Sequence, residues 1–94
     1  MEPNKKELTL TDTIPMMVSA DYKERFRAEY FQLKIRYDKL MNMVDKLDAK
    51  ELDFTPTCPR DMFVEQLNAM GSYIKVLQQR AELENVDLSM EGVE

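Results

Sequence analysis

The sequence predicts an all-α fold: an antiparallel two-helix hairpin with a short N-terminal helix or turn, assembling into a helical-bundle homo-oligomer. Three observations predict it. Two long stretches, about 20–50 and 59–85, carry apolar residues at alternating four- and three-residue spacing, the period of a helix packed along a coiled-coil-like seam. Only a short proline-containing connector separates them. Each stretch also carries a second apolar stripe that one hairpin cannot cover.

The elements follow in order. Residues 1–9 are polar and expected to form a flexible N-terminus, 10–88 a single helical-hairpin domain, and 89–94 a C-terminal tail. Within Leu10–Val18, Thr11 could cap one helical turn and Asp12 suits its positive end, while Pro15 limits its length. Ser19 is the expected N-cap of the first long helix, with Asp21 and Glu24 in its opening turns. Its seam combines Phe26, Leu33, Leu40 and Leu47 with Tyr30, Tyr37 and Val44. In the connector, Thr55 and Cys58 each precede a proline and are pushed toward extended conformations. Pro59 suits the first position of the second helix, with Cys58 or Thr57 as its cap. The second seam is Phe63, Leu67, Met70, Ile74, Leu77 and Ala81.

The second stripes comprise Phe31, Ile35 and Met41 on the first helix, with Met43 close by, and Met62, Ala69, Tyr73, Val76 and Leu83 on the second. Leaving such side chains wet forgoes about 1.5–3 kcal/mol apiece. These residues are therefore the expected oligomer interface, together with Gly71, whose mid-helix cost of about 1 kcal/mol a close backbone approach would justify. The rival explanation is that the N-terminal segment covers the second stripe.

Composition narrows the chemistry. The 94 residues include no histidine and one cysteine, which removes the usual general base, the usual metal ligand and any activated cysteine nucleophile. No phosphate-cradling glycine motif occurs. The expectation is a non-enzyme with no catalytic residue, no metal and no cofactor. The lone Cys58, the lack of an apolar leader after Met1 and the lack of a membrane-length apolar run indicate a cytoplasmic protein without a membrane partner. A net charge of −5 argues against duplex nucleic acid.

The charge is unevenly spread. Residues 20–50 carry eight basic against six acidic side chains, and 51–94 three against nine, which favours antiparallel pairing. Within Tyr22–Tyr37 lie five aromatic and five basic residues against two acids. Aromatic faces stack on bases and guanidinium forks hold phosphates, so this mixture suits a nucleotide-like anion. The bland reading is that Phe26, Tyr30 and Tyr37 serve the seam and the charges pair along the helix. The candidate ligand-binding residues are Tyr22, Lys23, Arg25, Arg27, Lys34 and Arg36, with Arg60 at the start of the second helix.

The phrases Asp12-Thr13-Ile14, Asp21 to Phe26, Ala28-Glu29-Tyr30, Lys34 to Tyr37 and above all Phe54-Thr55-Pro56-Thr57-Cys58-Pro59 resemble a family of short helical-hairpin proteins. These are encoded by tailed phages and prophages and are related to a crAss-like phage protein. The resemblance spans roughly residues 10–88. Pro15 stands where relatives have a helix former, and Lys50 where they have a hairpin glycine. The resemblance implies a phage-encoded accessory protein acting in the cytoplasm of the infected bacterium. By analogy with oligomeric phage sponges, the expected function is anti-defence: binding and sequestering a cyclic oligonucleotide or other nucleotide-type immune signal. The alternative is a protein–protein interaction module that inhibits a host defence protein or a phage protein through its apolar helix face. The two expectations share a homo-oligomer as the working form.

Overall fold

A computed structural model describes residues 8–89, which contain three α-helices and no strand. The assignments for residues 1–7 and 90–94 lie outside the described residues. A 3-10 turn at Thr11–Thr13 runs directly into α1, Ile14–Met17, followed by α2, Tyr22–Asp48, and α3, Arg60–Glu84.

The short N-terminal turn is held by local side-chain bonds. Asp12 accepts from the Thr9 amide and hydroxyl, and the Thr13 hydroxyl donates to the Leu10 carbonyl at 2.7 Å. Pro15 falls in the first turn of α1, where it costs no helical hydrogen bond. Leu10, rather than Thr11, precedes the turn. For α2 the cap is Asp21, not Ser19: its carboxylate accepts from the Lys23 amide at 3.0 Å. Ser19 acts one step earlier, accepting from the Asp21 amide.

α2 ends in a Schellman-type closure. The Glu51 amide reaches the Lys46 carbonyl at 2.8 Å and the Lys50 amide reaches Leu47 at 3.1 Å. This needs a left-handed residue, and Lys50 supplies it at φ 61°. The lysine thus occupies a backbone conformation that glycine adopts more cheaply. α3 closes in the same way around Asn85, at φ 59°, with the Val86 amide on the Ala81 carbonyl. The N-cap of α3 is Pro59 at ψ 153°, with no side-chain cap. Neither Thr57 nor Cys58 fills that role, because both lie outside the residue that turns the chain into the helix.

Every residue of both seams is buried or half-buried. Phe26, Leu77, Ala81 and Val86 form one core cluster, joined by Tyr30, Leu33 and Leu88. Cross-helix bonds join Tyr22 to Glu84, Glu29 to Tyr73 and Asp48 to Arg60, so the start of α2 meets the end of α3 and the reverse. A second cluster of Met16, Ala28 and Phe31, with Leu8 against it, fixes the N-terminal segment on α2. Gln32 strengthens this docking by donating to the fully buried Thr13 hydroxyl at 2.9 Å.

One expected interface residue is buried within the single chain. Phe31 is 4% exposed, because α1 and Leu8 of the same chain cover it. Gly71 faces α2: a methyl group at its position would touch the Tyr37 ring at 3.8 Å. That is ordinary contact, so the packing against α2 has room for a methyl group and does not by itself require the glycine.

Candidate ligand-binding site

The N-terminal segment and α2 enclose a groove of about 380 Å³. Helical spacing builds one wall. Phe31, Ile35 and Lys39 recur at intervals of four and form one stripe of α2, with Lys34 and Asp38 beside it. Leu8 and Thr9 form the opposite wall. The floor is therefore apolar and partly aromatic, and ammonium groups stand on the rim. Phe31 is rigid there because Met16 and Ala28 pack behind it.

The rim cations differ. Lys34 Nζ donates to both Asp38 carboxylate oxygens, at 2.9 and 3.2 Å, and stands 6.0 Å from the Tyr37 ring centre. The hydrogen bond to Asp38 raises the Lys34 pKa above the ordinary lysine value and outweighs partial burial. Lys39 has no hydrogen-bond or ion-pair partner among the described residues.

Most of the sequence-predicted cations are not gathered at this groove. Lys23 Nζ donates to the Asn85 carbonyl at 3.2 Å, and Arg25 to the Ser19 carbonyl at 2.8 Å. Arg27 is 7% exposed, contrary to its expected role as a ligand-facing residue. It donates to Glu24 and to the Ser89 carbonyl, and its guanidinium stacks 5.4 Å from the Phe31 ring centre. Its Nε has no partner among the described residues. Tyr22 bonds Glu84, and Arg60 forms a two-pronged ion pair with Asp48 at 2.7 and 2.9 Å. Arg36 is exposed and unpaired among the described residues. Of the seven candidates, only Lys34 lines the groove.

Sequence reasoning missed Lys39. The signal was present, since Lys39 extends the Phe31–Ile35 stripe by one further turn. The basic-aromatic segment ended two residues too early to include it.

The other expected interface residues divide by helix. On α2, Ile35 is half-buried in the groove and Met41 is 37% exposed. On α3, Met62, Ala69, Tyr73 and Val76 are all exposed, and Leu83 extends their stripe at 86% exposure. Residues 8–18 thus cover part of the α2 stripe, and the α3 stripe stays exposed among the described residues. Among the described residues, no helix is long and apolar enough to cross a membrane.

The Sequestin family model matches residues 20–83. The chain belongs to the Sequestin family. The match takes in α2, the connector and α3 up to Leu83, and the family's name denotes sequestration. The N-terminal wall of the groove, Leu8 and Thr9, lies outside the span matched by the Sequestin model. No curated protein and no solved structure matches the chain.

Proposed function

We propose that this Sequestin-family chain binds a nucleotide-type immune signalling anion and holds it without cleaving it, in an assembly of several copies. On this reading it is a phage counter-defence protein of the infected bacterium's cytoplasm. The observation that carries the proposal is the groove beside α2. Ile35 and Leu8 offer an apolar surface for a base over the buried Phe31, and Lys39, with no partner among the described residues, offers positive charge for a phosphate beside the Lys34–Asp38 pair. The apolar wall and the ammonium group act on different parts of one ligand.

The exposed α3 stripe supports the assembly. Tyr73, Val76 and Leu83 recur at intervals of three and seven on one helix face and are 44%, 50% and 86% exposed, and an apolar row of this kind suits an interface. Two-fold pairing of such a face is the commonest closed arrangement. The same stripe favours the second reading, in which α3 docks a host defence protein and no small ligand is held.

The test is thermal unfolding of the purified chain with a panel of cyclic di- and trinucleotides. A ligand at a hundred times its Kd stabilises by about 2.7 kcal/mol, or roughly 10–20 °C in a domain of this size. Heating the complex should then release the nucleotide intact, which separates holding from cleavage. No shift with any member of the panel, with a host protein captured instead through α3, overturns the proposal in favour of the second reading. Charge reversal at Lys34 and at Arg36, each alone, separates the two cations. Loss of the shift with Lys34→Glu alone supports the groove, and a retained shift removes it.

A further inference from the structure

The exposed apolar stripe of α3 has an internal symmetry. Met62, Ala69, Val76 and Leu83 recur at intervals of seven residues, and all four are exposed. Tyr73 and Arg80 interleave with them at steps of four and three, so the stripe has the period of a second packing seam. Its outer pair, Met62 and Leu83, and its inner pair, Ala69 and Val76, share one midpoint between Ser72 and Tyr73. An antiparallel copy of the stripe centred there sets the long Leu83 against Met62 and Val76 against the small Ala69.

α2 carries a second centre on the same side of the hairpin. Tyr22, Glu29 and Arg36 recur at intervals of seven on one face of α2. That face borders the stripe, because Tyr22 accepts from Arg80 and Glu29 accepts from Tyr73. Glu29 uses only Oε2 in that bond, and Arg36 has no partner among the described residues. Seven residues separate the two by about 10 Å along the helix, too far to pair within one chain. Their midpoint falls between Gln32 and Leu33. Since Glu29 lies opposite Tyr73 and Tyr30 opposite Gln78, that midpoint stands level with about residues 70–75 of α3. The apolar centre of α3 and the charge centre of α2 thus lie side by side.

We infer that a second copy of the chain docks on this face about a two-fold axis lying in the interface, at right angles to both helices and level with their shared centre. α3 then runs antiparallel to the partner copy's α3, and α2 antiparallel to its α2. Val76 meets the partner's Ala69, Leu83 the partner's Met62, and Arg36 the unused carboxylate oxygen of the partner's Glu29. Each contact occurs twice, as a two-fold interface requires. An unrelated partner would impose no common centre on an apolar spacing and a charge spacing carried by different helices. This rests on the assembly in the proposed function and deepens it by naming the surface that meets and its register.

The experiment is mild oxidation of the full chain in a Cys58→Ser background carrying Ala69→Cys or Val76→Cys, with non-reducing electrophoresis. Both replaced side chains are exposed, so the helical circular dichroism should be unchanged. Each variant alone should give little cross-linked dimer, because its cysteine stands about 10 Å along the axis from its counterpart. An equimolar mixture of the two should cross-link at least about tenfold faster. Glu29→Arg and Arg36→Glu, each alone, should weaken self-association in sedimentation equilibrium by about tenfold or more, and the double swap should restore it. Single variants that cross-link as fast as the mixture overturn the register and leave the proposed function standing. A double swap that associates no more tightly than the single variants does the same. A wild-type chain that is monomeric at tens of micromolar overturns the assembly in the proposed function and this inference with it.

Discussion

The Tyr22 hydroxyl donates to Glu84 Oε1 at 2.7 Å, joining the first residue of α2 to the last residue of α3. Arg80 completes the clasp. Its Nε donates to Glu84 Oε2 at 3.0 Å, a terminal nitrogen donates to Tyr22 Oη at 2.8 Å, and its guanidinium lies 4.9 Å from the Phe26 ring centre. Tyr22, which the sequence presents as a candidate for ligand contact, is instead a partner of Glu84 across the chain.

The clasp is pH-dependent. Hydrogen bonds from Tyr22 and then Arg80 hold the Glu84 carboxyl below its ordinary range, and Arg60 does the same for Asp48. A lowered carboxyl pKa gives stability that is full above the unfolded value and lost as pH falls through the folded one. The melting temperature should therefore be level from neutrality to about pH 5 and fall below it. Bonding to Glu84 raises the Tyr22 phenol above its ordinary value, so its contribution is full below about pH 10 and lost on further ionisation. Calorimetry across this range should show a shallower acid decline in Glu84→Gln. An identical decline in both proteins would remove the clasp from the account.

Phe31 is a core residue of the single chain. Phe31→Ala should cost about 3–5 kcal/mol in urea unfolding, because Met16, Ala28 and Leu8 lose the ring they pack on. Light scattering on the fraction still folded should give the wild-type mass. A variant that keeps its stability but falls apart into smaller species would return Phe31 to the interface.

Lys50 holds a left-handed conformation at φ 61° that a lysine side chain disfavours. Lys50→Gly should stabilise the chain by about 1 kcal/mol, seen as a raised urea midpoint with unchanged slope. A lowered midpoint would mean that the lysine side chain supports the turn by some contact of its own.

The α3 stripe is the expected meeting surface between copies. Val76→Glu with Leu83→Glu changes two residues that are 50% and 86% exposed, so the fold of one chain should survive. The light-scattering mass should drop to that of a single chain with the helical signal retained. A wild-type chain that is already monomeric at tens of micromolar would end the assembly proposal. An unchanged oligomer in the double variant would move the contact to another face.

The helices were legible because their causes are local and repetitive. Phe26, Tyr30 and Leu33, and likewise Leu67, Ile74 and Leu77, declare a buried face through spacing alone. The helix ends were less legible. Ser19 and Asp21 are both good caps two residues apart, and only the backbone turn chose Asp21. The α3 cap shifted from Thr57 or Cys58 to Pro59 for the same reason.

The site was legible only in kind. Five cations in sixteen residues announced a basic face, but charge counting cannot tell a free ammonium from one already committed. Lys23, Arg25 and Arg27 are committed to backbone carbonyls of residues 85, 19 and 89. Such partners have no identity in the sequence, since every residue carries a carbonyl. Arg36, Lys39 and Lys46 are left without a partner among the described residues.

The amino-acid sequence by itself determined the helical class, the two packing seams, the lack of histidine chemistry and the surplus of apolar helix surface. Each depends on residue type and on periodicity along one element. The tertiary structure alone decided that α1 covers Phe31 while the α3 stripe stays open among the described residues, and that Lys39 reaches the groove beside Leu8 and Thr9. Those outcomes depend on where segments far apart in the chain come to rest, and on which charges find a carbonyl or carboxylate when they do.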